Sequence, residues 1–298
     1  KSMTSAVATV NITVDSGTTT PDILTLPRGT TFLSNLIDGK SYNFVVRDTL
    51  NISKSNTSFV FENVDLYEGN FTSSTFVQNN SSNPKQVFTI PDNNIDTTSL
   101  QVVVTDVSSN TAAETYTLVT DATELSTTSP VYYIQEGIGG FFQIYFGGDN
   151  VGKSIPDGSI VTVSYIITNG SNPNGANVFT GAMPIGAYTN YTVTTVNVAS
   201  GGDSRETIQS IKNNAPLSFA AQNRLITSND YKAVLSKEYP QASSIAVWGG
   251  EDEIPKVFGK VYVALKPKTN YYISETEKQR IIDEIIKPKA IVTTTPEI

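Results

Sequence analysis

Most hydrophobic positions in the first two thirds of the chain follow a period of two. Residues 6–14 alternate apolar and polar side chains, which predicts a half-buried strand. Further short runs of β-branched and aromatic residues follow, separated by clusters of Asn, Ser, Asp and Pro: Tyr42–Val46, Ser58–Phe61, Gln86–Ile90, Leu100–Val104 and Glu114–Leu118. Short strands with polar turns predict an antiparallel sandwich or barrel-like domain over residues 1–126.

A second β region is predicted over residues 127–202. Its strand patterns are residues 131–135, 141–146, 160–167 and 190–198. A polar loop at residues 169–175 joins two of these strands and contains Asn172 and Asn174. This loop is a candidate partner contact, although such loops more often simply connect strands.

After Gly201-Gly202 the pattern changes to helices alternating with strands. Capping pairs predict three helix starts, at Asp203 with Glu206, Thr227 with Asp230 and Ser274 with Glu277, and Pro216 is expected to end the first helix. The predicted strands are Ser243–Trp248, Val257–Leu265 and Ala290–Thr294. This order predicts a ferredoxin-like (split βαβ) domain over residues 203–298, with the last two strands parallel. The predicted fold class is therefore mainly β with a C-terminal α+β domain.

The amino-acid composition excludes most kinds of catalytic side chain. The 298 residues include no Cys and no His, which excludes thiolate nucleophiles, imidazole bases and the usual zinc ligands. Residues 92–96 resemble the start of a calcium loop, but Thr97 and Val103 stand where Gly and Glu are required. We expect no enzymatic activity, no cofactor and no metal site. No run of about 18 apolar residues is present, so no membrane span is expected.

Charge is distributed unevenly along the chain. Residues 1–202 contain 7 basic and 16 acidic side chains, whereas residues 203–298 have a net charge of +1. An acidic β region lacks the clustered Lys and Arg that phosphate contacts require. We therefore expect neither nucleic acid nor an anionic membrane as a partner.

Residues Gly147–Ser154 satisfy the G-x-x-x-x-G-K-[ST] phosphate-loop pattern. A phosphate loop functions because it opens a helix, whose free N–H groups hold the anion. Here Pro156 and Gly158 follow at once, and a strand pattern begins at Ile160. We interpret the segment as a glycine-rich turn and expect no nucleotide.

The same residues carry a family resemblance. The run Tyr145–Lys153, followed by the spaced Pro156, Gly158, Val161, Val163 and Tyr165, resembles the baseplate J-like family, with further agreement at Leu26–Phe32, Gly201–Ile208, Ala215-Pro216, Arg224–Tyr231 and Phe258–Lys268. Members of this family are wedge components in the baseplates of contractile phage tails. The likeness is greatest to the wedge proteins of T4-like phages and is weak over residues 50–130. We expect the chain to be a C-terminal fragment of a larger protein of this kind.

The resemblance implies a structural subunit that works without chemistry. Such a subunit would hold neighbouring wedges in a ring around the tail hub and relay the conformational change that triggers sheath contraction. Implied partners are a second copy, as a homodimer within the ring, and other baseplate wedge proteins. The implied location is the virion tail baseplate, assembled in the cytoplasm of the bacterial host.

Few residues stand out as interface candidates. Trp248 ends a predicted strand beside the acidic pair Glu251 and Asp252, and Tyr271 and Tyr272 precede the third helix. Aromatic side chains at loop edges can dominate an interface, although core packing is the commoner role. The rival interpretation is a surface adhesin that binds carbohydrate with its β domains. A groove of exposed aromatics beside Asn and Asp in residues 1–130 would favour that interpretation.

Overall fold

The computed structural model describes residues 2–16, 21–55, 57–81, 83, 86–109, 112–119, 125–148, 151–221, 224–239, 242–267, 273, 275–290 and 294–298. The chain divides into two compact units, Lys1–Ser204 and Arg205–Ile298. The first unit contains β strands only, apart from one 3-10 turn, and the second combines helices with a small sheet. This mainly β content confirms the predicted class.

The first sheet has six strands in the order β14-β3-β4-β6-β1-β15. Its strands are β1 (Val7–Asp15), β3 (Thr31–Ser34), β4 (Asn43–Val46), β6 (Ser58–Glu68), β14 (Phe179–Gly181) and β15 (Thr192–Ser200). Strand β1 shows the predicted alternation, with Ala8, Val10, Ile12 and Val14 buried. The sheet curls toward closure because Ala199 N, on β15, donates to Ala176 O at 2.8 Å, just before β14. A separate two-stranded antiparallel sheet, β2 (Ile23–Leu26) with β5 (Leu50–Ser53), packs Leu24 and Leu26 into the same core.

The second sheet has seven strands in the order β7-β13-β9-β10-β11-β12-β8. They are β7 (Asn70–Val77), β8 (Phe88–Thr89), β9 (Ile95–Thr105), β10 (Glu114–Leu118), β11 (Val131–Glu136), β12 (Phe142–Phe146) and β13 (Ile160–Ile167). Its core is separate from the first and is lined by Val102, Ile144 and Val163. This sheet takes strands from both sides of residue 126, where the sequence analysis places a domain boundary. The three-part division of the chain stays a prediction.

The second unit packs helices on a three-stranded sheet. Its elements are α1 (Ile208–Ala221), α2 (Ser228–Glu238), β16 (Ala242–Gly249), β17 (Lys260–Pro267), α3 (Glu275–Arg280), a π-helical turn (Ile281–Ile286) and β18 (Thr295–Glu297). Strand β17 lies between β16, which is antiparallel to it, and β18, which is parallel. Leu225 makes an isolated parallel bridge to Ala290. These pairings are compatible with a ferredoxin-like domain, which stays a prediction.

The observed helix ends test the capping and proline signals read from the sequence. The predicted capping box of Thr227 and Asp230 is confirmed at the start of α2. The prediction for α1 was wrong at both ends. Asp203 instead pairs with Thr4 as a strand bridge, and the Thr207 hydroxyl accepts from Ser210 N at the start of the helix. Pro216 lies inside α1, because its missing N–H removes one bond without ending the helix. Ser274, the predicted third cap, lies outside the described residues.

None of the helices in the described part of the chain is long and apolar enough to cross a membrane.

Candidate interaction surfaces

Three of the predicted interface residues lie at the end of β16 and in the turn that follows it. Trp248 is half-buried, its indole Nε1 donates to Glu253 Oε1 at 2.7 Å, and its ring stacks on Tyr262 with centroids 5.9 Å apart. The indole therefore already has a hydrogen-bond acceptor and a stacking partner within its own unit. Only its exposed edge is left for a partner.

Glu251 and Asp252 occupy an exposed 3-10 turn directly after β16. The Glu251 carboxylate folds back over Gly249, where an added Cβ would overlap it. Within the described residues, no three Asp or Glu side chains converge to hold a metal ion. The two carboxylates therefore form an acidic, solvated rim.

Sequence reasoning missed the apolar side chains of this turn. Ile254 is 97% exposed and Phe258 is 78% exposed. The sequence did contain a signal for them. Two large apolar residues stand next to Pro255 and Gly259, outside any run of strand-forming residues, where polar residues are usual. Exposed apolar side chains with a charged rim are the usual composition of a protein–protein contact. We refer to Trp248, Glu251, Asp252, Ile254 and Phe258 as the β16–β17 turn surface.

The two asparagines of the 169–175 loop differ in their surroundings. Asn174 Nδ2 donates to Gly202 O at 2.8 Å, and Gly202 N donates to Asn174 Oδ1 at 3.0 Å. Asn174 therefore fixes the chain near the end of β15 and has little capacity for a partner. Asn172 is exposed at the tip of the loop. Tyr271 and Tyr272 lie outside the described residues.

The residues of the phosphate-loop pattern bond to the protein itself. Gly152 N donates to Ser126 O at 2.9 Å and Lys153 N donates to Ser129 O at 2.7 Å. The Lys153 ammonium pairs with Glu114 at 2.6 Å. The described residues after Ser154 form a turn and then β13. Among the described residues of the pattern, the N–H groups of Gly152 and Lys153 and the Lys153 ammonium are thus already engaged.

A buried carboxylate lies where the chain passes between the two sheets of the first unit. Glu68 ends β6 in the first sheet and is fully buried, and β7 of the second sheet begins two residues later. Its Oε2 accepts from Thr168 Oγ1 at 2.6 Å and from Asn169 N at 3.1 Å, while Oε1 accepts from Asn169 Nδ2 at 2.6 Å. Thr168 directly follows β13, where the chain leaves the second sheet. The carboxylate therefore ties together two crossings between the sheets.

Burial raises the pKa of Glu68, because the charged form loses its hydration. The hydrogen bonds from Asn169 and Thr168 lower that pKa and oppose the effect only in part. The carboxylate holds Thr168 in place, since the buried Thr168 hydroxyl would be costly to leave without an acceptor.

A second buried acid reinforces the same region. Asp96 Oδ2 accepts from Ser5 N at 2.8 Å, and Oδ1 accepts from Thr98 N at 2.9 Å and from Thr98 Oγ1 at 2.6 Å. The bond to Ser5 holds the segment before β1 against the second sheet. Neither buried acid could be recognised from the sequence, because each binds a residue about 90 to 100 positions away.

Two family models match separate parts of the chain. Residues 74–177 match the family described as bacteriophage baseplate wedge protein gp6, third domain, and residues 227–298 match baseplate structural protein gp6, C-terminal domain I. These matches support a gp6-like family of baseplate wedge proteins and a structural role in a viral tail baseplate. Both matching families are described as gp6 domains, and neither is described as baseplate J-like.

One relative and one solved structure are similar to this chain. The chain is 24% identical over 303 residues to the baseplate wedge protein gp6 of Enterobacteria phage T4. The alignment covers 92% of this chain and 43% of that protein, so the chain spans less than half the length of this relative. A cryo-EM structure of the anti-feeding prophage baseplate aligns with 99% of this chain and 56% of its own, at 13% identity. Its TM-score is 0.32, which is too low to support an argument about the fold.

Proposed function

We propose that this chain is a structural part of a baseplate wedge subunit, which joins neighbouring wedges in a ring around the tail hub. The observation that carries the proposal is the match of two separate wedge domains, together covering parts of both compact units. The subunit acts through extended surfaces and not through chemistry. We further propose that it sits in the virion tail baseplate and is assembled in the host cytoplasm.

The joint around Glu68 supports a mechanical role. Two separately packed sheets are linked by two chain crossings that share one buried hydrogen-bond network. Such a joint resists bending, because displacing either crossing leaves the buried Thr168 hydroxyl or the buried Glu68 carboxylate without a partner. A first unit of this kind can transmit displacement between partners bound to its two sheets. This property is what a relay of the conformational change before sheath contraction requires.

The β16–β17 turn surface is the proposed docking site for another baseplate wedge protein. Ile254 and Phe258 supply apolar area, and Glu251 and Asp252 supply an acidic rim that would favour a basic partner surface. Tyr271, Tyr272 and Asn172 remain secondary contact candidates. The subunit is also proposed to pair with a second copy of itself. Nucleic acid, membranes and nucleotides are not among its proposed partners.

Co-purification tests the docking proposal. The chain is co-expressed with the other wedge proteins of the same phage, as wild type and as the double variant Ile254→Ser and Phe258→Ser. The variant is expected to bind its wedge partner at least about tenfold more weakly, because it loses two large exposed apolar side chains. The matched control is Ile138→Ser, which removes a 98% exposed apolar side chain from the first unit and should bind as wild type. Failure of the wild-type chain to bind any wedge protein, combined with binding on a glycan array, would favour an adhesin instead.

A further inference from the structure

Arg28 is a half-buried cation whose guanidinium lacks an acceptor. It lies in the turn before β3, where Arg28 N donates to Thr49 Oγ1 at 3.1 Å. Its guanidinium lies over the ring of Phe71 on β7, 4.3 Å from the ring centroid. The Nε atom is buried and has no hydrogen-bond acceptor among the described residues. A buried charged donor without an acceptor is costly, so its presence in a folded protein needs an explanation.

A second guanidinium lies close to the first. Arg47 directly follows β4, and its guanidinium lies over Tyr67 of β6, 4.6 Å from the ring centroid. Arg47 Nε donates to Asp48 Oδ2 at 3.2 Å, and the Arg47 side chain is 37% exposed. In the part of the chain that the structure describes, no carboxylate forms an ion pair with Arg28, and Asp48 alone pairs with Arg47. Two cations therefore share one carboxylate, which leaves the three side chains with a net charge of +1.

Two further carboxylates lie near Tyr67 but are engaged with other groups. Asp65 Oδ1 accepts from Thr9 Oγ1 at 2.9 Å, and Asp96 Oδ2 accepts from Ser5 N at 2.8 Å. Neither forms an ion pair with an arginine among the described residues. The acids of this region therefore do not neutralise the pair of arginines.

The electrostatic surroundings make the pair distinctive. Burial lowers the pKa of Arg28, the nearby Asp48 raises it, and the like charge of Arg47 lowers it. Residues 1–202 contain 7 basic and 16 acidic side chains, so the arginines form a positive spot on an acidic part of the chain. A single negative group would be attracted to this spot, whereas an extended polyanion would be repelled by the acid around it.

The chemistry of the site favours a carboxylate as its ligand. Each guanidinium has one face on an aromatic ring, so the N–H groups at its edge are what remain for a ligand. The planar edge of a guanidinium matches a carboxylate, which accepts charge-assisted hydrogen bonds in the same plane. One carboxylate would also bring the net charge of Arg28, Arg47 and Asp48 from +1 to zero.

We propose that Arg28 and Arg47 form a docking site for one Asp or Glu side chain of another baseplate wedge protein, with the rings of Phe71 and Tyr67 as its floor. This inference rests on the binding of other wedge proteins in the proposed function and identifies a contact surface in the first unit. An arginine supported by an aromatic ring is preorganised, so little side-chain entropy is lost when the partner binds. Asp48, whose side chain is 66% exposed, limits the site to one carboxylate, because a second one would meet a net negative charge.

Removal of one charge at a time tests the site in binding assays with the other wedge proteins of the same phage. Arg28→Gln and Arg47→Gln should each bind the wedge partner at least about tenfold more weakly, because its carboxylate loses a charged donor. Arg28→Lys keeps the charge but not the planar edge, and should also bind more weakly than wild type. Lys40→Gln removes an exposed cation from the same unit and should bind as wild type. Circular dichroism checks folding, and Arg47→Gln, at the half-exposed position, decides the test if Arg28→Gln does not fold.

Nuclear magnetic resonance with a small probe tests the site without a wedge partner. The probe is an end-capped glycine tripeptide with a central glutamate, and its control has glutamine in place of the glutamate. The Nε–H signals of Arg28 and Arg47 should shift in a saturable manner with the glutamate peptide only. Equal shifts with both peptides, or no shift with either, would overturn the inference. Saturable shifts with inorganic phosphate but not with the glutamate peptide would overturn the assignment to a carboxylate.

The two assays separate this inference from the proposed function. If the wild-type chain binds a wedge protein and the arginine variants bind it equally well, the inference is wrong and the proposed function stands. If the wild-type chain binds no wedge protein, the proposed function fails and the docking inference fails with it. A carboxylate site detected with the glutamate peptide would then remain a property of the chain without a wedge partner.

Discussion

Glu68 Oε2 lies 2.6 Å from Thr168 Oγ1, although the two residues are 100 positions apart in the chain. Glu68 ends β6 of the six-stranded sheet, and Thr168 follows β13 of the seven-stranded sheet. The hydrogen bond therefore closes the joint between two separately packed cores. Both partners are buried, with exposures of 0% for Glu68 and 3% for Thr168. We therefore expect the stability of the first unit to depend on this contact.

Replacement of Glu68 should destabilise the chain strongly. Glu68→Ala leaves the buried Thr168 hydroxyl and two part-buried donors of Asn169 without an acceptor, which should lower the free energy of unfolding by about 1–3 kcal/mol. Glu68→Gln should cost less, because its amide oxygen can accept from Thr168 and Asn169 N while the Asn169 amide turns over. Urea unfolding measures both effects. Glu62→Ala, at an exposed position on the same strand, is the control and should change stability by less than about 0.5 kcal/mol.

The raised pKa of Glu68 predicts a pH dependence with a definite sign. The folded chain holds the Glu68 proton to higher pH than the unfolded chain does, so protonation favours folding. The free energy of unfolding should then fall as pH rises from the ordinary value of 4.5 through the folded pKa. Glu68→Gln should remove this decline. Urea unfolding of both proteins at several pH values above 4.5 gives the comparison, and parallel curves would show that Glu68 does not titrate abnormally.

Gly69 should tolerate no side chain. Its φ is +128°, and an added Cβ would overlap the carbonyl oxygen of Ile167 across the joint. Gly69→Ala should destabilise the chain by more than about 2 kcal/mol, because neither backbone segment can move freely. Gly39→Ala is the control for strain alone, since Gly39 also has a positive φ of +79° but has open space around it. Thermal unfolding of that variant should show a free energy of unfolding lower by only about 1 kcal/mol. Equal losses would contradict the steric account.

The cap of α2 predicts a local effect in the second unit. Thr227→Ala removes the hydroxyl that accepts from Asp230 N and should cost about 1 kcal/mol of stability. Ser228→Ala, one position later and exposed, should cost much less. Hydrogen exchange of the α2 amides measures both variants. Faster exchange in Thr227→Ala alone is the expected result, whereas identical exchange would mean that packing and not the cap holds the helix end.

The features that the sequence predicted are the ones with local causes. The alternation of Ala8, Val10 and Ile12 defines β1, and the Thr227–Asp230 pair defines the start of α2, because each signal lies within a few residues. Strand β7 was missed, since an edge strand with one solvated face shows no strong apolar pattern. Pro216 gave a wrong prediction for the end of α1, because a helix can continue past one missing N–H.

The candidate surfaces were predictable only in part. Trp248, Glu251 and Asp252 were proposed from the sequence and stay predictions, but the exposed apolar residues beside them, Ile254 and Phe258, were not recognised. Exposure depends on what the rest of the fold covers, which local sequence does not encode. Glu68 and Asp96 gave no signal either, since a buried acid cannot be distinguished from a surface acid until its distant partners are placed.

Gold labelling of purified tails tests the central claim most directly. Tails from the virus that encodes this chain would be labelled with antibodies against the chain and examined by electron microscopy. The proposed function predicts label in a ring at the baseplate, in extended and in contracted tails alike. Label confined to the tips of tail fibres, or absent from the particles, would contradict a baseplate wedge role.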